Sequence, residues 1–509
     1  MRHFFHGIAL ICGSVLTAMC AGQLPPEAGL AEQRLQAEYS GYRGVDPDYA
    51  HAGKEAIERW MDWKLGLRIH WGVYSVLGVD ASWPLAGASP EFKNIYHTLY
   101  QEFDPIGFDA DKWMDLMRRG GIKYFTITAM HCDGFSLWPT ARTLQGLRRE
   151  SKRGAGLGPV TETNIHYSIA DTPYKKDILG QLVAAARKKD IGIGFYFSHE
   201  NWLDPDFAWH RYDASNVRYD HPKFDKAADP ARWQRFIDKE RLQLRELASN
   251  YGPLDDLSFD CSWPAEAFPD LVEIVKMVRQ LQPHVMMRNR GVQQYGDYGT
   301  PEMNIPPDSD PLAAKTTSGA EGRVMPWQLI YHIGQAWAYL PADHYQSKEW
   351  ILATFIEVVA KGGNMQLGFG PPATGEWQPE MVERLEYLGD WLKVNGEAIY
   401  ATRPWQRWNE GKSLRFTRRK DGKYVYAISL DWPGEKLVLR GIRPRTGSSI
   451  TLLGVHEPLE WKMDDATGLT VALPSALQDP EKRPCRQAYA FRIEGTLNET
   501  LAGPAGGKK

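Results

Sequence analysis

Short apolar runs alternate with amphipathic helical stretches from about residue 64 to residue 403 of this 509-residue chain. Such alternation is typical of proteins in which each buried parallel strand is followed by a helix that covers it. It predicts a (β/α)8-like barrel within residues 23–403, with any chemistry at the carboxyl ends of the strands. The predicted strands are 65–70, 123–130, 191–198, 254–260, 284–289 and 363–369.

Apolar residues at helical spacing fill the segments that precede several of these strands. The stretch 140–172 differs, because it is polar and carries a cluster of arginines. We predict that it forms a loop inserted over the mouth of the barrel. The predicted helices are 54–63, 109–119, 175–189 and 229–250.

The pattern changes after Pro404, where short alternating runs are separated by turn residues. Alternation with a period of two and frequent turns predicts a small β-sandwich over residues 404–497. The segment 498–509 is rich in Gly, Ala and Lys and is predicted to be a flexible tail that begins with a glycosylation sequon. The predicted sandwich strands are 414–417, 424–429, 437–439, 451–453 and 488–493.

The first residues have the composition of a secretory signal. A short apolar run at 7–18 is followed by small residues before Gln23, which predicts a signal peptide at 1–22 and a secreted or periplasmic protein. A lipoprotein anchor at Cys20 is disfavoured, because Met19 is larger than the small residue that such a site requires. The run is also too short to span a bilayer.

Charge and cysteine content exclude several classes of protein. The net charge of −3 leaves no basic surface that would indicate a nucleic acid or an anionic membrane as partner. Outside the predicted signal, only Cys132, Cys261 and Cys485 remain, too few for a disulfide framework. We therefore expect a soluble globular fold stabilised by its hydrophobic core; the oligomeric state is left open.

Polar and aromatic residues follow three of the predicted strands. His70 and Trp71 follow the first strand, His131 follows the second, and Asp260 ends the run at 254–260. The carboxyl ends of barrel strands converge on one mouth, so these side chains should meet there. Imidazoles, indoles and carboxylates together suit a sugar, which offers an apolar face, several hydroxyls and a glycosidic oxygen that needs an acid.

Several longer blocks, in the same order along the chain, resemble the α-L-fucosidases of glycoside hydrolase family 29. Together they cover roughly residues 55–405, and the predicted C-terminal sandwich agrees with the same family. The blocks are Lys64–Val76, Phe103–Pro139, Gly194–Ser198 with Asn201 and Trp202, Phe259–Asp260, Arg290 with Gly296–Glu302, Lys361–Leu367 and Trp391–Tyr400.

The resemblance implies a retaining, exo-acting glycosidase without a metal or other cofactor, whose substrate is a fucosylated oligosaccharide or glycoconjugate. Asp260 would be the nucleophile and Glu302 the general acid/base, two roles that need carboxyl groups about 5–5.5 Å apart. The acid should have a raised pKa and the nucleophile a low one, and Arg290 could keep Asp260 ionised. The other residues with an implied place at the sugar are His70, Trp83, His131, Cys132, Tyr196 and Arg290.

The chain departs from the family pattern close to the expected sugar. Members usually have His-His-Asp-Gly where this chain has Cys132 in place of the second histidine, and usually Gly where it has Cys261. Ser82 and Gln328 replace family glutamates. We therefore keep open a different L-galacto-configured sugar, such as an α-L-galactoside. The two cysteines are either reduced, buried residues or a disulfide.

Two other hypotheses belong to different classes. A metal-dependent barrel hydrolase would use His70, His131, Asp133 and His199, although no close multi-ligand spacing supports it. A catalytically impaired sugar-binding homologue is suggested only by the missing second histidine, and the presence of both Asp260 and Glu302 argues against it.

Overall fold

The computed structural model describes residue 46 and residues 48–150, 158–207, 226–261, 267–306 and 326–496. The predicted signal peptide, most of the segment before the first helix, and the tail with its sequon lie outside the described residues. The described chain divides into two compact units, which we consider in turn. The first contains 65–346 and 366–383, and the second contains 347–365 and everything from 384.

A parallel sheet of seven strands forms the centre of the first unit. Its strands lie side by side in the order β7-β6-β5-β2-β1-β9-β8. They are β1 (Leu65–Ile69), β2 (Tyr124–Met130), β5 (Gly192–Ser198), β6 (Asp256–Asp260), β7 (Met286–Met287), β8 (Gln328–His332) and β9 (Asn364–Phe369), while β3 (Leu144–Arg149) and β4 (Val160–Ile165) form a separate hairpin.

The extended segment 298–303 connects the two outer strands of this sheet. Tyr298 forms a parallel bridge with Arg288, directly after β7, and Glu302 forms a parallel bridge with Ile330 in β8. The segment therefore fills the eighth position around the sheet. This arrangement confirms the predicted (β/α)8-like fold, and it carries Glu302 to the same ring as the strand ends.

Polar side chains inside the barrel are hydrogen-bonded to one another. Asp256 accepts hydrogen bonds from Thr126 Oγ1 at 2.7 Å and from the Tyr298 hydroxyl at 2.6 Å, and Gln366 donates to Thr126. Burial raises the pKa of Asp256 to about 6 against the effect of these bonds. Because buried polar groups are costly without partners, this network fixes the inward-facing strand positions below the mouth.

The predicted helices are present, with ends set by capping side chains. Asp109, Asp177 and Asp229 each accept a hydrogen bond from the backbone N–H three residues later, as N-cap residues do. The helices are α1 (Lys54–Trp63), α2 (Tyr74–Leu77), α3 (Pro90–His97), α4 (Ala110–Arg119), α5 (Ile178–Lys188), α6 (Pro230–Asn250), α7 (Phe268–Leu281), α8 (Lys348–Ala360) and α9 (Pro379–Asn395). None of the described helices is long and apolar enough to cross a membrane.

The segment 140–172, predicted as an inserted loop, contains a β-hairpin that was not predicted. Its strands β3 and β4 pair antiparallel from Leu144 opposite Ile165 to Arg149 opposite Val160. Leu144, Leu147 and Ile165 are buried. Leu144 and Ile165 pair on one face of the hairpin and Leu147 lies on the other, so the apolar residues follow no strict alternation that would stand out among the polar ones.

Two further strand predictions need correction. The predicted strand 284–289 is regular only at Met286–Met287. Strand β8, Gln328–His332, was not predicted; four of its five residues are buried, so it lacks the alternation of a half-exposed strand.

The second unit contains two antiparallel sheets, as predicted. One has the order β10-β11-β12-β17-β14 and the other β13-β16-β15, around a core that includes Phe416, Leu439, Ile450 and Phe491. The strands are β10 (Thr402–Glu410), β11 (Leu414–Arg419), β12 (Tyr424–Ser429), β13 (Lys436–Leu439), β14 (Ile450–Leu452), β15 (Trp461–Asp464), β16 (Gly468–Ala472) and β17 (Tyr489–Glu494), of which β10, β15 and β16 were not predicted.

Candidate active site

The predicted site residues gather at the carboxyl ends of the barrel strands. His70 directly follows β1, His131 directly follows β2, Tyr196 lies in β5 and Asp260 is the last residue of β6. His70, His131 and Tyr196 are buried, and their rings lie within 6 Å of one another, centre to centre. The strand-end argument therefore brought His70, His131 and Asp260 together as the structure does, whereas Tyr196 was implied by the family resemblance alone.

Three donors surround the carboxylate of Asp260. The Tyr196 hydroxyl donates to Oδ2 at 2.8 Å, while the Cys261 backbone N–H and Arg290 Nη1 donate to Oδ1 at 2.9 and 3.2 Å. Burial opposes ionisation, but Arg290, Arg288 and the N–H outweigh it and hold the pKa of Asp260 well below its ordinary value. The side chain is 20% exposed, so it is an ionised carboxylate that a ligand can reach.

Glu302 is joined to Asp260 through one guanidinium. Arg290 Nη2 donates to Glu302 Oε2 at 2.5 Å while Nη1 of the same side chain reaches Asp260. Burial raises the pKa of Glu302, but Arg290 and then Arg288 lower it more, and the net shift is downward. The raised pKa expected of an acid is therefore not found for Glu302.

Arg288 is a neighbour of both carboxylates that sequence reasoning missed. Its Nη1 lies 3.7 Å from Asp260 Oδ1 and its Nη2 lies 3.9 Å from Glu302 Oε2, with the side chain 1% exposed. Its three guanidinium nitrogens have no hydrogen-bond partner among the described residues. Burial and the positive charge of Arg290 lower the pKa of Arg288 to about 10. Arg288 directly follows β7, so its position at the carboxyl end of a strand is the signal that could have found it.

Aromatic rings line the remaining wall. His131 stacks on Tyr196 at 5.6 Å, Trp83 lies edge-on to His131 at 6.2 Å, and Trp337 lies 5.1 Å from His70. Burial holds the pKa of His70 well below its ordinary value and lowers that of His131 to about 4, so both imidazoles are neutral near pH 7. Trp337 follows β8, the strand that the sequence pattern did not reveal.

Ser82, the residue before Trp83, contacts the His131 ring as Trp83 does. Ser82 Oγ lies 2.7 Å from His131 Nδ1 and accepts a hydrogen bond from the backbone N–H of Asp133 at 3.0 Å. The Asp133 carboxylate accepts instead from the Tyr96 hydroxyl at 2.7 Å. Ser82, at a position where the family usually has an acid, thus orients the His131 ring.

Cys132 and Cys261 are not joined by a disulfide bond, and their thiols are in contact with each other. Their Sγ atoms lie 3.6 Å apart, and Ser198 Oγ lies 3.1 Å from Cys132 Sγ and 3.4 Å from Cys261 Sγ. Cys261 has a φ of 71°, in the left-handed region that favours glycine. The side chain of Cys132 thus contacts Cys261 and Ser198. Members of the family usually have histidine in place of Cys132 and glycine in place of Cys261.

Three of the four ligands in the metal-hydrolase hypothesis, His131, Asp133 and His199, have other partners. His199 Nδ1 lies 2.6 Å from Glu240 Oε1, and its ring stacks on Phe259 at 5.0 Å. Asp133 is bonded to Tyr96, and Nδ1 of His131 to Ser82. Within the described ranges these four residues do not form a cluster with metal-ligand spacing.

Comparison with known proteins identifies the family of this chain. Residues 34–397 match the profile of the α-L-fucosidase family, and residues 406–494 match that of the α-L-fucosidase C-terminal domain. The tissue α-L-fucosidase of Rattus norvegicus is 26% identical over 477 residues, which cover 88% of this chain and 92% of that protein. The plasma α-L-fucosidase of Pongo abelii is also 26% identical, over 89% of this chain and 93% of its own.

Solved structures have the same fold. α-L-Fucosidase isoenzyme 1 from Paenibacillus thiaminolyticus superposes with a TM-score of 0.70 at 24% identity, covering 87% of this chain and 99% of that one. A bacterial fucosidase with a monovalent iminocyclitol inhibitor gives 0.68 at 25% identity, covering 87% and 96%. A Bacteroides thetaiotaomicron enzyme described as a trapped covalent intermediate gives 0.67 at 24%, covering 88% and 98%. The chain therefore belongs to the α-L-fucosidase family and is a glycoside hydrolase.

Proposed function

We propose that this enzyme releases terminal α-L-fucose from fucosylated glycans by double displacement, with Asp260 as nucleophile and Glu302 as acid/base. The observation that carries the proposal is the single guanidinium of Arg290, which bonds to both carboxylates at the mouth of the barrel. Two carboxyl groups held this way flank one reacting centre. Tyr196 and the Cys261 N–H add donors that keep Asp260 ionised, as a nucleophile requires.

In the first step, an Asp260 oxygen forms a bond to C1 of the sugar while the bond from C1 to the glycosidic oxygen breaks. Glu302 gives its proton to that oxygen, and the aglycone leaves as an alcohol. In the second step, Glu302 takes a proton from water, the water oxygen bonds to C1, and the ester bond to Asp260 breaks. The sugar leaves with its original anomeric configuration.

The charges around Glu302 favour its second role. The negative charge of Asp260 raises the pKa of Glu302, while Arg290 and Arg288 lower it. When Asp260 becomes an ester, its charge disappears and the pKa of Glu302 falls further, which suits a base. In the first step the acid must come from the small protonated fraction of Glu302, so we expect hydrolysis to be favoured at mildly acidic pH.

Replacing Arg288 with methionine is expected to move the bell-shaped pH profile of kcat/KM to higher pH. A cation beside two carboxylates favours their ionised forms, so its removal raises the pKa of both. The acid limb, where Asp260 must ionise, and the alkaline limb, where Glu302 must keep its proton, then both move upward. The profile is measured with a nitrophenyl α-L-fucoside.

Arg288→Lys provides the matched control, because it retains the charge in nearly the same volume. Its profile should stay close to that of the wild type. If Arg288→Met is folded by circular dichroism and its profile coincides with the wild type, the electrostatic role of Arg288 is excluded.

The aromatic wall supports a deoxy sugar. His131, Tyr196, Trp83 and Trp337 offer ring faces and edges that suit the apolar side of the sugar and its methyl group. The neutral imidazoles of His70 and His131 can donate to or accept from hydroxyls. The trapped covalent intermediate of the Bacteroides thetaiotaomicron fucosidase is a precedent for a covalent step on this fold.

One observation favours a second candidate substrate, an L-galacto-configured sugar with a hydroxyl at C6. Cys132 replaces an imidazole that contacts the sugar in the family, and its thiol is a poor hydrogen-bond partner that faces Cys261. A panel of nitrophenyl glycosides tests both candidates. Turnover of the α-L-fucoside above the α-L-galactoside supports the fucosidase, the reverse order supports the alternative, and no turnover of either indicates the impaired homologue.

The double variant Cys132→His with Cys261→Gly is expected to raise kcat/KM on the α-L-fucoside. The single change Cys132→His should not, because the larger ring meets the Cys261 side chain, whose Sγ lies 3.6 Å from that of Cys132. Glycine also suits the left-handed backbone at position 261. One restored hydrogen bond to the sugar is worth about 1–3 kcal/mol, which corresponds to an increase in kcat/KM of roughly 5- to 150-fold.

Cys261→Gly alone is the control for the backbone change. If the double variant folds normally and its kcat/KM does not rise, neighbouring residues have been remodelled as well. The native sugar should then be sought outside simple fucosides.

We also propose that the enzyme is exported. The support is the apolar run at 7–18 followed by small residues. Export is tested by the amino-terminal sequence of the protein recovered from a secreted or periplasmic fraction, which should begin near Gln23. An intact amino terminus in the cytoplasm contradicts it.

A further inference from the structure

Three side chains of types that can bind a metal lie close together behind the sugar pocket, and the proposed hydrolytic mechanism does not use these side chains. They are Cys132, Cys261 and Glu200, and one ligand atom from each lies within 4.8 Å of the other two. All three residues are buried. In the described parts of the chain this is the only such group of three or more.

The spacing of the two sulfurs matches a tetrahedral metal centre. Zinc–sulfur bonds of about 2.3 Å at tetrahedral angles place two thiolates about 3.7 Å apart. The Sγ atoms of Cys132 and Cys261 lie 3.6 Å apart. They need no movement to share an ion, whereas a disulfide bond of about 2.05 Å would require them to approach by more than 1 Å.

The surroundings support ligands of this kind. Ser198 Oγ contacts both sulfurs, at 3.1 and 3.4 Å, and Trp202 Nε1 donates to Glu200 Oε2 at 2.7 Å. Hydrogen bonds of this type orient metal ligands from outside the coordination sphere. Two sulfurs and one carboxylate leave one of four tetrahedral positions for water.

We propose that Cys132, Cys261 and Glu200 bind one thiophilic divalent cation of the Zn²⁺ class, which acts as a structural clip. Binding replaces the two thiol protons by the ion: two thiolates, one carboxylate and Zn²⁺ carry a total charge of −1, as do two thiols and one carboxylate. The two protons go to solvent. Because the net charge is unchanged, the field at the adjacent Asp260 is largely preserved.

The clip would join the ends of three strands beneath the catalytic residues. Cys132 follows His131 at the end of β2, Glu200 follows β5, and Cys261 follows Asp260 at the end of β6. The Cys261 N–H also bonds to Asp260 Oδ1. An ion here would hold the nucleophile and the stacked histidine in register without touching the substrate.

The test uses the full mature protein, freed of metal and kept reduced with a phosphine that does not bind zinc. Cd²⁺ serves as a spectroscopic probe, because cadmium–thiolate bonds absorb in the ultraviolet. We expect the absorption to saturate at one Cd²⁺ per chain and to be displaced by Zn²⁺. We also expect saturating Zn²⁺ to raise Tm by at least about 2 °C with activity retained.

Variants locate the site. Cys132→Ser and Cys261→Ser should each lose the stoichiometric absorption and the Zn²⁺-dependent rise in Tm, and Glu200→Gln should weaken Zn²⁺ binding at least tenfold. The matched control is Cys485→Ser, which removes the third cysteine of the mature chain and should bind like the wild type.

Wild-type protein alone can overturn the proposal, even if a cysteine variant fails to fold. No saturable absorption at one equivalent of Cd²⁺, or no rise in Tm with Zn²⁺, would exclude the site. Binding that is unchanged in the cysteine variants would place it elsewhere. Loss of activity in step with occupancy would exclude a structural clip.

Discussion

Replacing Asp260 with alanine is expected to lower kcat on a nitrophenyl α-L-fucoside by about three orders of magnitude or more, the scale seen when a covalent nucleophile is removed. The reason is that, among the described residues, Asp260 is the group that Tyr196, Arg290 and the Cys261 N–H hold together, and we propose that it bonds to C1. Azide should restore part of the activity and give a glycosyl azide of inverted configuration, which proton NMR identifies.

Asp260→Asn is the matched control for this experiment. It keeps the size of the side chain and removes the charge, so it should be as inactive as the alanine variant. Azide should rescue it less, because the amide fills the space that alanine leaves open. If Asp260→Ala stays within tenfold of the wild type, the assignment of the nucleophile is wrong.

Replacing Glu302 with alanine is expected to reduce activity on natural fucosides far more than on nitrophenyl fucosides. A nitrophenolate leaves without protonation, whereas a sugar hydroxyl does not, and general acid catalysis is worth about 10²–10⁴-fold. The measurement is the ratio of kcat/KM values on the two kinds of substrate for variant and wild type. Azide should now give a product of retained configuration, since Asp260 still forms the intermediate.

Glu302→Gln tests the proton alone, because the amide occupies the same volume beside Arg290. It should show the same dependence on the leaving group. Equal losses on both kinds of substrate would direct the search to another carboxylate. Glu200, buried beside Trp202, is one candidate, and Glu321, which lies outside the described residues, is the other.

Because the pKa of Glu302 is lowered, its role as the acid needs this direct test. The ion pair with Arg290 at 2.5 Å stabilises the carboxylate and so opposes the acid role. If Glu302 is the acid, substrate binding must weaken that pair or the enzyme must work from a small protonated fraction. The pH profiles of kcat/KM for the wild type and for Arg288→Met separate these cases by the pH at which the alkaline limb falls.

Local patterns were sufficient to predict most of the fold. Each element of the barrel can be recognised within a few residues of sequence. Strands such as 124–130 and 192–198 are short apolar runs, and the helices have a periodic apolar face, so the barrel could be predicted; the alternating runs after Pro404 likewise predicted the sandwich. The hairpin β3–β4 could not, because its few apolar residues gain burial only against neighbours distant in the chain. Strand β8 could not either, because Gln328–His332 has only three apolar residues between two polar ends, too short a run to stand out.

The features of the site likewise fall into those predicted from the sequence and those that only the tertiary structure showed. Sequence by itself determined the residues at strand ends, Asp260, His70 and His131, because parallel strands bring consecutive carboxyl ends to one mouth. Only the tertiary structure decided that Arg290 joins Asp260 to Glu302, that Arg288 lies under both, and that the two cysteines face each other with Glu200. These relations depend on side chains that are 12 to 129 residues apart in the chain and meet at a few ångströms, and no local pattern encodes such a distance.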